Sequence, residues 1–552
     1  MRRALFAALA LGTFACSAVL GVDDFSIRPP PADVPDSGLD VADTSTIPDS
    51  VAPITETGVP GECKVNADCM GRGEFWVCRK SDQACVSLQS QDCSKIVGSY
   101  KDDNAIIIGS VLPTTGDDLT SGVPIENAIA LAIQDFSGNG HLPPRPGTTA
   151  RRPLVLVGCT DASDDDVAVR AAKHLAEGLE VPAIIGAAFS GITIKVATDV
   201  TIPAGTLLIS PSATSVAITG LQDDGLVWRT SPSDVIQAQA DVKFFPWLEQ
   251  QVLAGATRDI KVAIANKGDP YGRGLAESVS ESLVFNGKAA LAQIGSPRNF
   301  AMFDYGDATP KYTEAVTGIA TMRPDVVFLF GTTETLTELM KGIEKEWPTG
   351  VDAPPRPRYI LADGSLVSEA TAIANGNPDT PDYSNGNLRR RIVGTIPGTS
   401  NTNFLKFQTL YNAKVTDGTS PSTGGAANAY DALYNIAFSI VAAGDKPITG
   451  KVIAEGFAKQ VMKGAGNLDV GFTNINTAFQ KLSAGQGFDF NGASGPLDYD
   501  LETGEAPSDI QFWCLPEENG IAGGGRASPL FYNAQTEQMQ GTYEAMTQFC
   551  NF

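Results

Sequence analysis

From about residue 104 the chain alternates short, unbroken apolar runs with amphipathic stretches, and this alternation restricts the fold more than any other feature. The runs 105–112, 154–157, 183–186 and 206–210 are rich in Ile, Val and Leu. Strands that are apolar on both sides belong in parallel sheets covered on both faces. Between them the sequence predicts helices over 125–136, 167–179 and 191–200. The alternation restarts after Pro232, with a long helix over 235–253, strand 261–265, helix 274–285 and strand 289–294. Helix 312–322, strand 325–330, helix 334–347 and strand 358–362 follow. Two runs of similar make-up predict an α/β protein of two doubly wound, Rossmann-like lobes rather than one very large sheet. Further helices near 401–412, 424–443 and 450–460 would return to the first lobe.

Charge and histidine content narrow the function. The 552 residues carry 40 Lys plus Arg against 63 Asp plus Glu, a formal net charge of −23. Phosphate contacts need clustered cations, so this balance argues against a nucleic-acid partner and against electrostatic docking on anionic lipid. With His141 and His174 as the two histidines, a multi-histidine metal site is excluded and a His-based triad has two places to stand. No metal or cofactor site is expected.

Arg2 and Arg3 precede the apolar run 4–11, then Gly12, Thr13, Phe14, Ala15 and Cys16. A charged start, a short greasy core and a small residue form a secretory signal, too short to span a bilayer. The small residue followed by cysteine resembles a bacterial lipoprotein processing site, although Thr13 stands where such sites usually carry Leu. That resemblance implies signal cleavage after residue 15, a lipid on Cys16 and attachment to a bacterial membrane through the lipid alone. Residues 17–62, rich in Pro, Asp, Ser and Thr, read as a disordered acidic tether spanning about 40 Å.

Eight cysteines remain after Cys16, an even number in an oxidising compartment, which predicts disulfides. Cys63, Cys69, Cys78 and Cys85 fall in a small module, 63–92, that cannot stabilise itself by core alone. A zinc knuckle competes with this reading, but the spacing lacks a C-x2-C pair and no histidine is near. The sequence does not fix connectivity; crossed pairing of Cys63 with Cys78 and Cys69 with Cys85 is one option. Cys93, Cys159, Cys514 and Cys550 belong to the main body, and chain order favours Cys93–Cys159 and Cys514–Cys550.

Several landmarks then occur in order: Ile107-Ile108-Gly109-Ser110, Gly116 and Gly122, Asn127-Ala128, Ile184-Ile185-Gly186 with Ser190, and Ile209-Ser210-Pro211-Ser212-Ala213-Thr214-Ser215. Asp269-Pro270-Tyr271-Gly272, Ala429-Tyr430-Asp431-Ala432 and Phe490-Asn491-Gly492-Ala493-Ser494-Gly495 complete the series. Together, over about residues 100 to 515, they resemble the type I periplasmic binding proteins of the branched-chain (Leu/Ile/Val) amino-acid branch. These are the substrate-binding subunits of ABC importers. The resemblance implies two lobes joined by a three-strand hinge, with ligand in the cleft between them. Lobe 1 would hold about 94–233 and 364–488, and lobe 2 about 234–363 and 489–552.

The resemblance also implies a site. Ser190 stands where the family binds an α-carboxylate; taken by itself it reads as a helix cap. Thr214 would serve carboxylate and ammonium, with a carbonyl of Ser212 or Ala213 accepting from the ammonium. In lobe 2, Tyr271 would close over the ligand, the backbone of Gly331 and Thr332 would line the cleft, and Asp363 would pair with the ammonium. Gly116 and Leu119 would meet the ligand side chain. No tyrosine follows Gly331, where leucine-type binders often present an aromatic. The ligand is therefore expected to be a small amino-acid-like zwitterion.

An enzyme would need a nucleophile, a base and an orienting acid in one pocket, and no Gly-x-Ser-x-Gly elbow occurs. Asp164-Asp165-Asp166 sits at a predicted helix start without the late Glu of a calcium loop, so it reads as acidic capping. Two non-enzymatic classes remain: an exported lipoprotein delivering solute to an ABC permease in the periplasm or at the cell surface, and a surface sensor or partner-binding lipoprotein reusing the same fold without transport.

Overall fold

The computed structural model of the chain describes residues 58–116, 118–295, 297–351, 353–376, 388–398 and 401–551. The signal segment, Cys16 and residues 17–57 of the expected tether lie outside the described residues.

Two sheets carry the body. The first contains β1 (Cys93–Val97), β2 (Ile106–Leu112), β3 (Leu154–Thr160), β4 (Ala183–Gly186), β5 (Leu207–Ser210) and β6 (Val227–Arg229). Its spatial order is β1-β3-β2-β4-β5-β6, with β1 antiparallel to β3 and all other neighbours parallel. The second contains β7 (Val262–Asn266), β8 (Phe300–Asp304), β9 (Val326–Phe330), β10 (Arg358–Leu361) and β11 (Ile392–Pro397). It continues with β12 (Ile510–Cys514), β13 (Arg526–Asn533) and β14 (Gln538–Gln540), in the order β8-β7-β9-β10-β11-β12-β13-β14. Without its antiparallel additions, each sheet has the doubly wound order 2-1-3-4-5. The topological switch point then falls between β2 and β4 in lobe 1 and between β7 and β9 in lobe 2.

The apolar runs make strands because alternate side chains enter two different cores. Val326, Phe328 and Phe330 join one cluster with Phe244 and Leu275, while Val327 and Leu329 join another with Ile319 and Leu339. In lobe 1, Leu154 and Leu156 face Ile129 and Tyr434, and Val157 and Cys159 face Leu175. Helices Thr402–Lys414, Ala426–Ala442 and Gly450–Phe457 return to lobe 1, where Phe407, Tyr430 and Phe457 lie in its core.

The chain passes between the lobes at three places, two of them later than the expected 364 and 489. β11 pairs with β10, setting Val393 opposite Ile360, so lobe 2 keeps the chain through Pro397. The β-branched run Ile392-Val393-Gly394-Thr395-Ile396 supplies this strand, which the sequence reading did not assign. Phe490, Leu497, Tyr499 and Ala506 lie in the lobe 1 core, so the return to lobe 2 follows Ala506. The first and third crossings are tied together: Arg229 N donates to Gly504 O at 3.1 Å, and the buried Arg229 guanidinium bonds Glu505.

The expected strand 289–294 is instead a 3-10 turn, Ala290–Gln293, held by the Gln293 amide, which donates to Phe285 O at 3.0 Å. Leu291 and Ile294 point outward, and the aromatic β8 takes the sheet edge beside β7. The segment after β12 is not a tail: it forms β13, β14 and helix Tyr543–Cys550, and the Cys514–Cys550 disulfide fastens that helix.

The N-terminal module begins by Gly58, whose amide donates to Cys85 O at 3.1 Å, so residues 58–62 belong to it rather than to the tether. Disulfides Cys63–Cys78 and Cys69–Cys85 staple the module, and Cys93–Cys159 joins β1 to β3. The module packs on lobe 1: Val77, Val86 and Leu88 share a core cluster with Ala172 and Leu175. Arg79 Nη1 donates to Gly178 O at 2.7 Å. No helix among the described residues is long and apolar enough to cross a membrane.

Candidate functional site

The carboxyl ends of β4 and β5 open into two turns, the first bearing Ser190 and the second serine-rich, that form the lobe 1 wall. Ser190 is the first residue of helix Ser190–Val196 and is 4% exposed. It does not cap that helix by its side chain; its Oγ accepts from the Ser215 amide at 3.2 Å and so joins the two turns. Ser212 Oγ donates to Ala188 O at 2.8 Å, and the Ala213 carbonyl accepts from Ser231 Oγ at 3.1 Å. The Thr214 carbonyl accepts from the Asp234 amide at 2.9 Å.

In lobe 2, helix Pro270–Ser282 follows β7, with Asp269 as its cap accepting from the Gly272 amide at 2.8 Å. Tyr271, 8% exposed, donates its hydroxyl to Asp363 Oδ1 at 2.7 Å. Gln237 Nε2 donates to the same oxygen at 3.1 Å. Asp363 opens the turn after β10, and Gly364 lets the ends of β9 and β10 meet. A Cβ at 364 would stand 2.6 Å from Gly331 O and 3.4 Å from the Tyr271 hydroxyl. The Thr332 amide donates to the Glu334 carboxylate at 2.9 Å. Burial pushes the Asp363 carboxyl and the Tyr271 phenol upward, and for Asp363 the bonds from Tyr271 and Gln237 oppose this.

The two walls touch. Ser215 Oγ donates to Pro270 O at 2.7 Å, and a Cβ on Gly274 would lie 3.5 Å from Ser215 Oγ. Ser190, Ser212, Ala213 and Thr214 thus sit on one side, and Tyr271, Gly331 and Asp363 on the other. Gly116 and Leu119 take no part in these hydrogen bonds. Gly116 borders Ala162, Leu119 is 45% exposed, and Asp118 between them accepts from Ser163 Oγ at 2.7 Å. They form a rim.

Sequence reasoning missed Gln237, Asp234 and the bridging role of Ser215. Ser233-Asp234 at a helix start reads as ordinary capping, and indeed Ser233 Oγ accepts from the Val235 amide. Nothing in the string shows that Asp234 is fully buried. Among the other candidates, Asp164 caps its helix through the Asp166 and Val167 amides, and His174 contacts Leu88 O at the module interface.

This geometry sets polar turns of the two lobes against each other at the carboxyl ends of their parallel strands, where doubly wound folds place ligands. The periplasmic binding protein profile matches residues 105–513. The chain belongs to the periplasmic binding protein family. That is a class of exported proteins that hold solutes rather than transform them. The Leu/Ile/Val-binding protein BraC3 of Rhizobium johnstonii is 30% identical over 181 residues, 32% of this chain and 44% of that protein. The Leu/Ile/Val-binding protein homolog 1 of Brucella melitensis is 28% identical over 181 residues, 32% of this chain and 43% of that protein. The matched stretch therefore spans less than half the length of these curated relatives.

Solved structures of this periplasmic binding protein family align over more of the chain. The leucine-binding protein of Thermotoga maritima covers 76% of this chain and 98% of its own, with TM-score 0.54 and 18% identity. A branched-chain amino-acid substrate-binding protein of Streptococcus pneumoniae, in complex with isoleucine, covers 77% and 99%, with TM-score 0.51 and 18% identity. A solute-binding protein of Rhodopseudomonas palustris, in complex with 3,4-dihydroxybenzoic acid, covers 78% and 98%, with TM-score 0.52 and 16% identity. At such identities the shared property is the fold.

Proposed function

We propose that this periplasmic binding protein captures a small amino-acid-like zwitterion between its lobes and presents it to an ABC permease, tethered to the membrane by a lipid on Cys16. The observation that carries this reading is the pairing of a hydroxyl-rich lobe 1 wall with a carboxylate in lobe 2. Ser190 and Thr214 supply neutral donors suited to a carboxylate, and Asp363 supplies the opposite charge for an ammonium. The Leu/Ile/Val-binding names of the curated relatives and the isoleucine complex support an amino acid. The dihydroxybenzoate complex on the same fold shows that the fold alone does not choose the ligand. Capture by lobe closure is a population shift toward a liganded, closed state, with no chemistry.

Isothermal titration of the mature chain against the twenty amino acids and small aromatic acids tests the reading. Micromolar or tighter binding of an amino acid, lost in the Ser190→Ala, Thr214→Ala double variant, supports it. Unchanged affinity in that variant sinks the assignment of these two residues.

The docked module favours a second reading. Residues 58–92 cover one face of lobe 1 through Val77, Val86, Leu88 and Arg79, an addition that solute capture itself does not require. A surface sensor or partner-binding lipoprotein would use this addition and need no transporter. Genes for a permease and an ATPase beside this one favour import; their absence favours the second reading.

A further inference from the structure

Helix Asp234–Leu253 begins at the first crossing between lobes and carries a row of buried acceptors on one face. Asp234, Gln237 and Asp241 are spaced by three and four residues and are 0%, 1% and 0% exposed. Among the described residues their acceptors are poorly supplied: Gln237 Oε1 has no hydrogen-bond partner, and the Asp234 and Asp241 carboxyls meet no cation or amide, only the neighbouring Thr214 and Thr395 hydroxyls. Buried acceptors left without donors cost free energy, and a buried lone carboxylate costs more.

Asp234 belongs to the cleft. Its amide donates to Thr214 O at 2.9 Å, and the Thr214 hydroxyl lies beside its carboxyl. From lobe 2, Asp363 and Asp269 add negative charge to its surroundings. Arg229 faces it from the crossing; that guanidinium donates to Ser215 O, Thr219 and Glu505 through its two Nη atoms, and its Nε makes no hydrogen bond, to Asp234 or to any other described residue. In lobe 2, the Lys267 ammonium is engaged by Asp269 at 3.3 Å and Asp307 at 3.4 Å. One ammonium placed on Asp363 would leave Asp234 still unmatched.

We infer that the cleft is built for a ligand with a second positive charge, an amine of the basic amino-acid class, which Asp234 receives. This rests on the solute-capture reading above and narrows its substrate class. A metal ion fits the same acceptors less well. Among the described residues, the one group of three ligand-type side chains converging within 4.8 Å is Cys63, Cys69 and Cys85, all in disulfides. Strung along a helix face, the acceptors suit a ligand that brings its own N–H donors. Asp241 lies two turns deeper beside Thr395, where burial holds its carboxyl well above the usual range.

Proton linkage gives the inference a signature that packing alone would not. Burial, reinforced by Asp363, pushes the Asp234 carboxyl up to about 8, with Asp269 adding to the rise and Thr214 and Arg229 opposing it. Burial also raises the Tyr271 phenol and the Asp241 carboxyl on the same helix well above their ordinary values. At neutral pH the arrival of a cation therefore expels a proton from Asp234.

Calorimetric titration of the full chain with L-leucine, L-lysine and 1,4-diaminobutane, at pH 7 in two buffers of different ionisation enthalpy, tests this. L-Lysine is expected to bind about thirtyfold or more tighter than L-leucine, the scale of leaving a buried charge unpaired. Proton release should accompany it, and Asp234→Asn should remove both the preference and the release. Binding of the diamine but neither amino acid supports the second-charge inference and removes the zwitterion reading. L-Leucine binding as tightly as L-lysine overturns the inference and leaves amino-acid capture standing, a result read on the wild type alone. No binding by any of the three overturns both.

Discussion

Ser215 in lobe 1 gives its hydroxyl hydrogen to the carbonyl of Pro270 in lobe 2 across 2.7 Å, while its amide donates to Ser190 Oγ. One residue thus links the turn expected to hold a carboxylate to the start of the helix that carries Tyr271. Replacing Ser215 by Ala keeps the amide link and removes the lobe-to-lobe bond. A net loss of about 1 kcal/mol is expected, and about a fivefold weaker ligand affinity if closure is what the bond favours. Small-angle scattering of the ligand-free variant should show a larger radius of gyration than wild type; identical curves and affinities would show that the bond is incidental.

Gly364→Ala probes the lobe 2 wall. The added Cβ would meet Gly331 O at 2.6 Å, so β9 and β10 must separate at their ends. A cost of about 1–3 kcal/mol is expected, together with weakened solute binding, because Asp363 moves with its neighbour. Differential scanning calorimetry and titration on the same sample check both; a neutral variant would show the wall to be pliable.

Stability should fall as pH rises from about 4 to 8. Asp161, Asp431 and Asp234 are pushed up by burial to about 6, 7 and 8, against an unfolded value of about 3.9. Between those limits the folded state holds more protons than the unfolded state, so raising the pH favours unfolding until the folded carboxyls ionise. His174, lowered by burial, acts oppositely, losing stability as pH falls below about 6.5. Glu126, Asp135, Asp241 and Asp363 are raised by burial in the same direction, so the carboxyls outweigh the one imidazole and predict a higher Tm at pH 5 than at pH 8, with Asp234→Asn flattening the upper part of the slope. A Tm that climbs steadily from pH 5 to pH 8 would refute this.

Opening the Cys514–Cys550 bond by a double serine substitution frees helix Tyr543–Cys550 from β12. The bridge closes a separation of 36 residues, worth about 4 kcal/mol in the chain-entropy account. Proteolysis should then clip the C-terminal helix first. Resistance equal to wild type would mean that Met546 and its neighbours hold the helix unaided.

The parallel strands were legible because they are apolar on both sides, as in Val326–Phe330, and such runs have few other places to go. β13 was not: Arg526–Asn533 mixes charge, serine and proline, and although its partner β12 shortly precedes it, β12 reaches the sheet only by pairing with β11, far back in the chain. The serine-rich turn and Tyr271 were visible as residues, but their relation to each other was not. Ser215 meets Pro270 only through two lobes assembled from distant segments. Asp234 was hidden for a different reason: a helix-start aspartate looks the same in the sequence whether it faces water or a cleft.

The lobe 2 sheet also sets a schedule for synthesis and secretion. Ile396 pairs with Gln511, and the core holding Phe244 and Val262 is completed by Phe512, Leu530, Tyr532 and Met546, which are made last. A ribosome must pass Met546 before this lobe can seal its apolar face. Contacts so distant in sequence form slowly. The newly made chain therefore stays unfolded longest in lobe 2, a state suited to threading through an export channel.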